Sequence, residues 1–190
     1  MMHAFRSALI AVMLFVCGLT GAMADSYEST IEVFQEAGQS ARFFEDAYGF
    51  AVFPTIGKGG LGIGAARGKG RVYVGGEPVG ETTMTQLSIG LQAGGQAYSQ
   101  IIFFEDERAF RDFTTGNFEF GANASAVAIT AGASATAGST GASAGASGGQ
   151  HDAATASRGY YRGMAVFTVA KGGLMYEASV SGQKFSYSPL

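Results

Sequence analysis

Two different periods of apolar and polar residues follow one another along this chain. Over residues 26–47 the apolar side chains recur at spacings that share one face of a helix: Ile31, Phe34, Ala41 and Phe44. Three glutamates occupy another stripe of the same segment at intervals of four residues: Glu28, Glu32 and Glu36. The segment therefore predicts an amphipathic N-terminal helix whose outer side is acidic.

From Gly49 onward the pattern is that of strands. Apolar, aromatic and β-branched runs alternate with glycines, and they predict a small meander with a turn at Gly57–Gly60. The predicted strands are Phe50–Phe53, Leu61–Ala65, Arg71–Val74, Thr82–Leu91, Gln96–Phe104 and much of Tyr160–Tyr187. The residues Ala93-Gly94-Gly95 fit either a hairpin turn or a glycine bend within one long strand.

A short helix and a long tract of small residues interrupt the strands. The acidic residues from Glu105 open a helix that continues through Phe113 and ends at Gly116. Between residues 121 and 150, 26 of 30 residues are Ala, Gly, Ser or Thr. The alternation at the start of this tract predicts a strand over Phe118–Ala135, and the Gly/Ser/Ala-rich stretch at about residues 138–158 predicts a mobile loop.

These elements together predict an α+β fold. The expected architecture is a mostly antiparallel, strongly bent sheet or partial barrel with an N-terminal helix and one short internal helix. The composition agrees, because 30 glycines, 15 phenylalanines and no tryptophan in 190 residues favour closely packed sheet over a helical bundle. Charged residues make up only 14% of the chain, which excludes disorder driven by charge.

The first residues of the chain have the organisation of a secretory signal peptide. Arg6 provides the positive charge, Ala8–Val16 is an uninterrupted apolar run, and Ala22-Met23-Ala24 is a small-residue cleavage pattern. We therefore expect residues 1–24 to be removed and residues 25–190 to form the domain. The protein is then exported, and the periplasm is the expected compartment.

Cysteine and histidine are too scarce for most catalytic or metal chemistry. Cys17 is the single cysteine, and its lipidation would anchor the protein to a membrane, although Val16 stands where lipidation signals place a small residue. His151 is the only histidine beyond the signal, and one histidine without cysteine cannot build a zinc site. We expect no metal, no cofactor and no enzymatic activity.

Two other classes of ligand are disfavoured. The glycine-rich run Lys58–Gly64 is superficially similar to phosphate-binding loops, but the trailing Lys-Ser/Thr pair and the following helix are missing. A nucleic-acid partner would require a basic footprint, whereas the net charge of this chain is -3. We therefore expect neither a nucleotide nor a nucleic-acid partner.

One segment of the chain is echoed by another. Gly49–Leu61 matches Gly163–Leu174 when Pro54 is skipped. Each copy predicts a strand, a Lys-Gly-Gly turn and a second strand, and the equivalent lysines are Lys58 and Lys171. Shared turn geometry alone would also explain this echo.

The strongest candidate site is a cluster of cations. Four of them lie within 14 residues that contain no carboxylate: Lys58, Arg67, Lys69 and Arg71. Glycine-rich turns also leave backbone N–H groups free to bind anions. We therefore predict that these residues bind anionic lipid head groups, with Lys171 joining from the echoed turn. A solvated basic face without a ligand is the alternative.

Several motifs resemble the SYLF lipid-binding domain in their order along the chain. They are the segment Gly49–Val74, the run Ser88–Phe104 followed by a short helix, Phe120–Ser125, and the closing Gly172–Ser179. The similarity spans residues 31–187. It implies binding to phospholipids, with phosphoinositides and actin as partners in eukaryotic members, exported or lipoprotein forms in bacteria, and no enzymatic activity.

The resemblance also implies a membrane-binding amphipathic N-terminal helix, which the three glutamates of this chain disfavour. The predicted function is therefore that of an exported, non-enzymatic protein that binds anionic phospholipid head groups at a membrane surface through the basic cluster. The alternative is a structural or assembly protein of the cell envelope that associates with itself or with a protein partner. The small-residue strand face Ala122–Ala128 fits either tight packing or the border of an acyl-chain cavity.

Overall fold

A sheet of six strands, curled into a half-barrel, forms the centre of the described structure. The computed structural model describes residues 26–121, 126–129, 159–171, 180 and 182–190. The helices are α1 (residues 26–36), α2 (Phe43–Asp46) and α3 (Glu107–Thr114). The strands are β1 (Gly49–Val74), β2 (Glu77–Phe104), β3 (Phe118–Glu119), β4 (Val127–Ile129), β5 (Met164–Lys171) and β6 (Gln183–Pro189). The predicted α+β fold with a bent, mostly antiparallel sheet is confirmed.

Several sequence-based predictions lie outside the described residues. They are the signal peptide 1–24, the site of lipidation at Cys17, the loop at about residues 138–158 with His151, and the closing motif Gly172–Ser179. Most of the small-residue face Ala122–Ala128 lies outside them as well. These predictions stay predictions.

One long hairpin, β1 and β2, builds most of the sheet. Its turn is Gly75-Gly76, and both glycines have positive φ, 60° and 86°, as the tightest hairpin turns require. The predicted turn at Gly57–Gly60 is wrong, because these residues continue β1 and pair with residues 94–97 of β2. Glycine lies opposite glycine there, so the two strands bend together without separating. Of the two alternatives for residues 93–95, the bend within one strand is confirmed.

β2 divides the sheet into two halves. β1 pairs along one edge of β2, while β5 and β6 share the other edge, β5 beside residues 97–104 and β6 beside residues 80–86. We call the part with β5 and the parallel strand β4 the base half, and the part with β6, β3 and the hairpin turn the turn half. The glycine-rich bend at residues 59–64 of β1 joins the two.

The inner faces of the two halves pack against each other. Gly68 and Gly70 of the turn half lie directly over Ile56 and Phe53 of the base half, and a Cβ atom on Gly70 would stand 2.6 Å from the Phe53 ring. Glycine at alternate positions is therefore what lets the strand fold back on itself. Phe185 of β6 completes this core, with its ring centroid 5.7 Å from that of Phe53.

Helices α1 and α2 cover the outer face of the base half. Their buried aromatic residues Tyr27, Phe34 and Phe43 pack on Val52, Phe103 and Phe167. The predicted single helix over residues 26–47 is interrupted at residues 37–42. The hydroxyl of Ser40 donates to the carbonyl oxygens of Phe34 and Ala37, at 2.5 and 3.2 Å, and this local bonding competes with a continuous helix. The three glutamates of the acidic stripe are exposed, as predicted.

The internal helix is confirmed as α3. The Asp106 carboxylate accepts a hydrogen bond from the Ala109 N–H at 2.8 Å and caps its start, and Gly116 follows its end with a φ of 84°. The predicted strand Phe118–Ala135 is wrong as a single element. Its described parts are β3, which pairs with β6 at one edge of the sheet, and β4, which pairs with β5 at the opposite edge.

Buried amides cross the inner core. The Gln100 Nε2 donates to Gln183 Oε1 at 2.9 Å, the Gln183 Nε2 donates to Gln100 Oε1 at 3.1 Å, and the Tyr98 hydroxyl accepts from Gln183 at 3.3 Å. Gln100 and Gln183 are fully buried. This pair ties β2 to β6 within the interior, where an unpaired amide would cost stability.

Burial of Tyr98 makes the domain sensitive to alkaline pH. Desolvation raises the pKa of Tyr98 from 10.0 to about 12, and that of Tyr160 likewise to about 12. The folded state therefore favours the neutral phenols, and their contribution to stability is complete below pH 10 and is lost as the pH rises to about 12. We expect Tyr98→Phe to lose less stability than the wild type between these pH values, measured by urea unfolding. If the free energy of unfolding falls equally steeply with pH in the two proteins, this expectation is contradicted.

Candidate functional site

Three of the predicted cations share the outer face of the turn half. Alternate residues of a strand point to opposite sides of the sheet, and in this part of β1 the even-numbered residues Ala66 and Val72 are buried in the inner core. Arg67, Lys69 and Arg71 therefore point outward. Arg67 and Lys69 are exposed, and Arg71 is half-buried.

Strand pairing adds a fourth cation that the sequence prediction missed. Arg67 lies opposite Thr85 of β2, Thr85 lies opposite Lys184 of β6, and Lys184 lies opposite Glu119 of β3. Two strand spacings, roughly 10 Å, separate the backbones of Arg67 and Lys184. Lys184 is exposed, and the alternation of apolar and polar residues along β6 was a sequence signal for it. We call this surface, with Arg67, Lys69, Arg71 and Lys184, the basic face.

Acidic residues lie next to two cations of the basic face. The Lys184 Nζ lies 3.4 Å from Glu119 Oε2 in an exposed ion pair, and Arg71 has Glu81 as its backbone partner across the hairpin. Among the residues that the structure describes, neither Arg67 nor Lys69 has an ion-pair partner. The positive charge available to a ligand is therefore concentrated on these two residues.

Arg71 also connects the basic face to helix α1. Its guanidinium carbon lies 4.5 Å from the centroid of the Tyr27 ring, a cation–π arrangement, and its Nε is buried without a hydrogen-bond partner. Burial raises the pKa of the Tyr27 hydroxyl, and the charge of Arg71 partly opposes that rise. Arg71 therefore adds positive charge to the face while its side chain is held on the helix.

Lys58 and Lys171 lie elsewhere. Lys58 is half-buried in the middle of β1, on the same side of the strand as the inner-core residue Ile56, and not at a turn. Lys171 ends β5 and is exposed, and its Nζ donates to the Thr55 Oγ1 at 3.0 Å. The structure thus brings three of the five predicted residues together and leaves these two apart. The head-group role of all five stays a prediction.

The echoed segments explain this separation. Both copies pair with β2, on opposite edges, but Lys58 lies opposite Gln96 and Lys171 lies opposite Ala97. Because the register differs by one residue, the two lysines point to opposite sides of the sheet. The described parts of the two copies are therefore similar strands that flank β2, and Lys58-Gly59-Gly60 of the first copy is not a turn.

Apolar residues adjoin the basic face at the bend of the sheet. Ile63 is 69% exposed and Leu87 is 78% exposed. Leu87 lies opposite Ala65, one side-chain step along the same face from the pair of Arg67 and Thr85. The outer face of the turn half therefore changes from apolar at the bend to basic and hydroxyl-bearing farther along.

Comparison with known families identifies the domain. A family model described as Las17-binding protein actin regulator, Ysc84, matches residues 85–187, which is more than half of the chain. The chain belongs to the Ysc84 (SYLF) family. The resemblance seen in the sequence motifs is thereby confirmed, and SYLF membership indicates binding related to lipids or to actin regulators.

A curated relative of this SYLF protein is the beta cell expansion factor A of Aeromonas veronii. It is 31% identical over 165 residues, which cover 86% of this chain and 54% of that protein. This chain therefore spans about half the length of the relative. Within the SYLF chain, the family match includes Lys184 but begins after Arg67, Lys69 and Arg71.

The described residues of the SYLF domain contain neither a membrane-spanning helix nor a metal-binding cluster. None of the helices among them has the length and apolar character needed to cross a membrane. They also contain no group of three or more His, Cys, Asp or Glu residues placed to hold a metal ion. The described part of the site consists of cations with two neighbouring glutamates, hydroxyls and apolar side chains.

Proposed function

We propose that this SYLF protein is an exported, non-enzymatic protein that binds anionic phospholipid head groups at a membrane surface. The observation that carries the proposal is the basic face, where Arg67 and Lys69 are exposed and have no ion-pair partner among the described residues. Thr85 and Ser186, which lie between and beside the cations, are also exposed, so the face is open to a flat ligand. Their hydroxyls are hydrogen-bond donors for phosphate oxygens.

The charge balance of the face supports reversible binding. Each basic residue near an anionic membrane contributes about 1 kcal/mol, and the effect is screened within a Debye length at physiological salt. Glu119 pairs with Lys184, and Glu81 lies opposite Arg71, so Arg67 and Lys69 supply most of the attraction. We therefore expect an attraction of about 2 kcal/mol from the face, enough to enrich the protein at a membrane and sensitive to salt.

Vesicle binding tests this proposal. The purified protein is expected to co-sediment with vesicles of phosphatidylglycerol and phosphatidylcholine at low salt and to bind them more weakly at high salt. Arg67→Ala with Lys69→Ala is expected to weaken binding about 10- to 30-fold, because two contributions of about 1 kcal/mol are lost. Pure phosphatidylcholine vesicles should bind neither protein.

A matched control removes the same charge elsewhere. Arg108 and Arg111 lie on α3, are exposed, and form ion pairs with Asp112 and Glu107. Arg108→Ala with Arg111→Ala is expected to bind vesicles nearly as well as the wild type. Equal losses in the two double variants would mean that only net charge matters, and the basic face would then have no special role.

A protein partner is the second candidate function. The family description names a Las17-binding actin regulator, which favours recognition of a protein. Self-association or an envelope protein would fit the same alternative. Oligomers that grow with protein concentration, in the absence of any vesicle binding, would favour this function over lipid binding.

Export is a further part of the proposal. Its support is the signal-like pattern of residues 1–24, and the periplasm is the expected compartment. Fractionation of expressing cells and the mass of the isolated protein test it. Cleavage after Ala24 gives the free form, whereas a lipid adduct on Cys17 gives the anchored form.

A further inference from the structure

The apolar end of the basic face points to a mode of membrane contact that deepens the proposed function and rests on it. We propose that the bend of the sheet, with Ile63 and Leu87, inserts shallowly among the acyl chains of an anionic bilayer while the cations of the basic face hold the phosphates. The occupant of this surface is thus a lipid bilayer, and not a folded partner.

Exposure singles out these two residues. Ile63 and Leu87 are 69% and 78% exposed, and among the other large apolar side chains that the structure describes as exposed, only Leu190 at the chain end is comparable, at 73%. Ile63 pairs with Ile89 and Leu87 pairs with Ala65, so Ile63 and Leu87 are diagonal neighbours on one face, about 7–8 Å apart. Two large apolar side chains therefore stand together in solvent at the glycine-rich bend of the sheet.

The order of side chains along the outer face matches the layers of a membrane interface. One side-chain step along a strand is about 7 Å. Ala65 and Leu87 form the level next to Ile63, Arg67 with Thr85 and Lys184 form the following level, and Lys69 with Thr83 and Ser186 form the next. The apolar side chains thus lie at the bend, and the cations lie farther from it along the strands. Long cationic side chains can direct their charges to the phosphate layer while their stems stay in apolar surroundings.

Charge decides between a bilayer and a protein. The core of a protein interface is depleted of charged residues and is packed by a partner. Here the apolar pair is bordered directly by Arg67, whose charge has no ion-pair partner among the described residues, and by Lys184 beyond Thr85. An anionic bilayer supplies both the apolar layer and the complementary charge.

Tryptophan fluorescence tests this placement directly, because the chain contains no tryptophan. Leu87→Trp introduces a single reporter at the bend, and its emission is expected to shift to the blue when anionic vesicles are added. Lipids brominated near the head-group end of the chain should quench it. Val33→Trp, at an exposed position of α1, is the matched control and is expected to show no shift.

Three outcomes of this experiment would overturn the inference. If Val33→Trp shifts and Leu87→Trp does not, helix α1 is the inserting element. If the Leu87→Trp emission shifts with protein concentration in the absence of vesicles, a second copy of the chain covers the bend. Absence of any shift at Leu87→Trp, with vesicle binding intact, overturns the inference and leaves the proposed function standing.

The salt dependence of vesicle affinity distinguishes the contribution of the bend from that of the basic face. Ile63→Ser with Leu87→Ser is expected to lose at least about tenfold in affinity for anionic vesicles at low and at high salt alike, because salt screens charges and not apolar contacts, whereas the loss in Arg67→Ala with Lys69→Ala should shrink as the salt concentration rises. Both positions are exposed, so its thermal unfolding should match the wild type. No loss in Ile63→Ser with Leu87→Ser at either salt concentration, or a loss that disappears at high salt, would contradict insertion. Failure of the wild type to bind any vesicle would refute the proposed function itself.

Discussion

Phe185→Ala is expected to destabilise the domain by about 3–5 kcal/mol, the usual cost of removing a buried aromatic side chain. Phe185 is 2% exposed and its ring lies 5.0 Å from that of Phe113, 5.5 Å from that of Phe120 and 5.7 Å from that of Phe53. These rings come from helix α3, from the segment after β3 and from the base half of β1. The cavity left by alanine would therefore open the place where the two halves of the sheet meet.

Urea unfolding followed by circular dichroism measures this loss. Leu190→Ala is the control, because Leu190 is 73% exposed and its truncation should change the free energy of unfolding by no more than about 0.5 kcal/mol. Phe185→Leu keeps much of the volume and is expected to remain folded if the alanine variant does not. A loss below about 1 kcal/mol in Phe185→Ala would show that closure of the half-barrel does not depend on this ring.

Gly70→Val is expected to be the second most damaging change, with a loss of about 2–3 kcal/mol or more from overpacking. A Cβ atom at this position would lie 2.6 Å from two carbons of the Phe53 ring and 2.9 Å from the Val52 carbonyl oxygen. Phe53 is fully buried, so its ring has no free space into which it can move. The turn half would have to separate from the base half to make room.

Gly57→Val is the matched control in the same strand. A Cβ atom at Gly57 would meet nothing within 4 Å, and the residue is exposed. Valine has a high preference for strands, so this variant is expected to be as stable as the wild type or slightly more stable. Comparable melting temperatures for Gly70→Val and Gly57→Val would show that the close approach of the two halves is not a requirement of the fold.

Local patterns in the sequence predicted those elements that local chemistry specifies. The cap at Asp106 and the stop at Gly116 place α3, because both act on backbone groups within a few residues. The apolar spacing of Ile31 and Phe34 predicted the N-terminal helix in the same way. Its interruption near Ser40 was not predicted, since it depends on a hydroxyl that bonds back to Phe34.

Local sequence patterns did not decide the structure of the glycine-rich segments. Lys58-Gly59-Gly60 allows a turn as well as a bent strand, because glycine has few steric restrictions. Pairing with residues 94–96 of β2 selects the strand. Lys58 is therefore not part of the basic face. A lysine at a turn would have reached solvent, whereas Lys58 lies on the inner side of a strand.

The sequence by itself determined the family, the α+β class and the presence of a basic segment between Lys58 and Arg71. Only the tertiary structure decided which way those cations point. β1 shifts register between Phe53 and Ile56, next to Pro54, whose carbonyl oxygen accepts a hydrogen bond from the buried Ser99 hydroxyl.

That shift exchanges the inner and outer residues of the strand beyond it, because side chains alternate strictly from one face to the other. It turns Arg67 and Lys69 outward and Lys58 inward. Lys184 joins them because β6 pairs with β2. In this pairing Lys184 lies opposite Thr85, a residue far from it in the chain. A register shift and a long-range pairing arise only when distant segments meet, so no local pattern in the sequence specifies them.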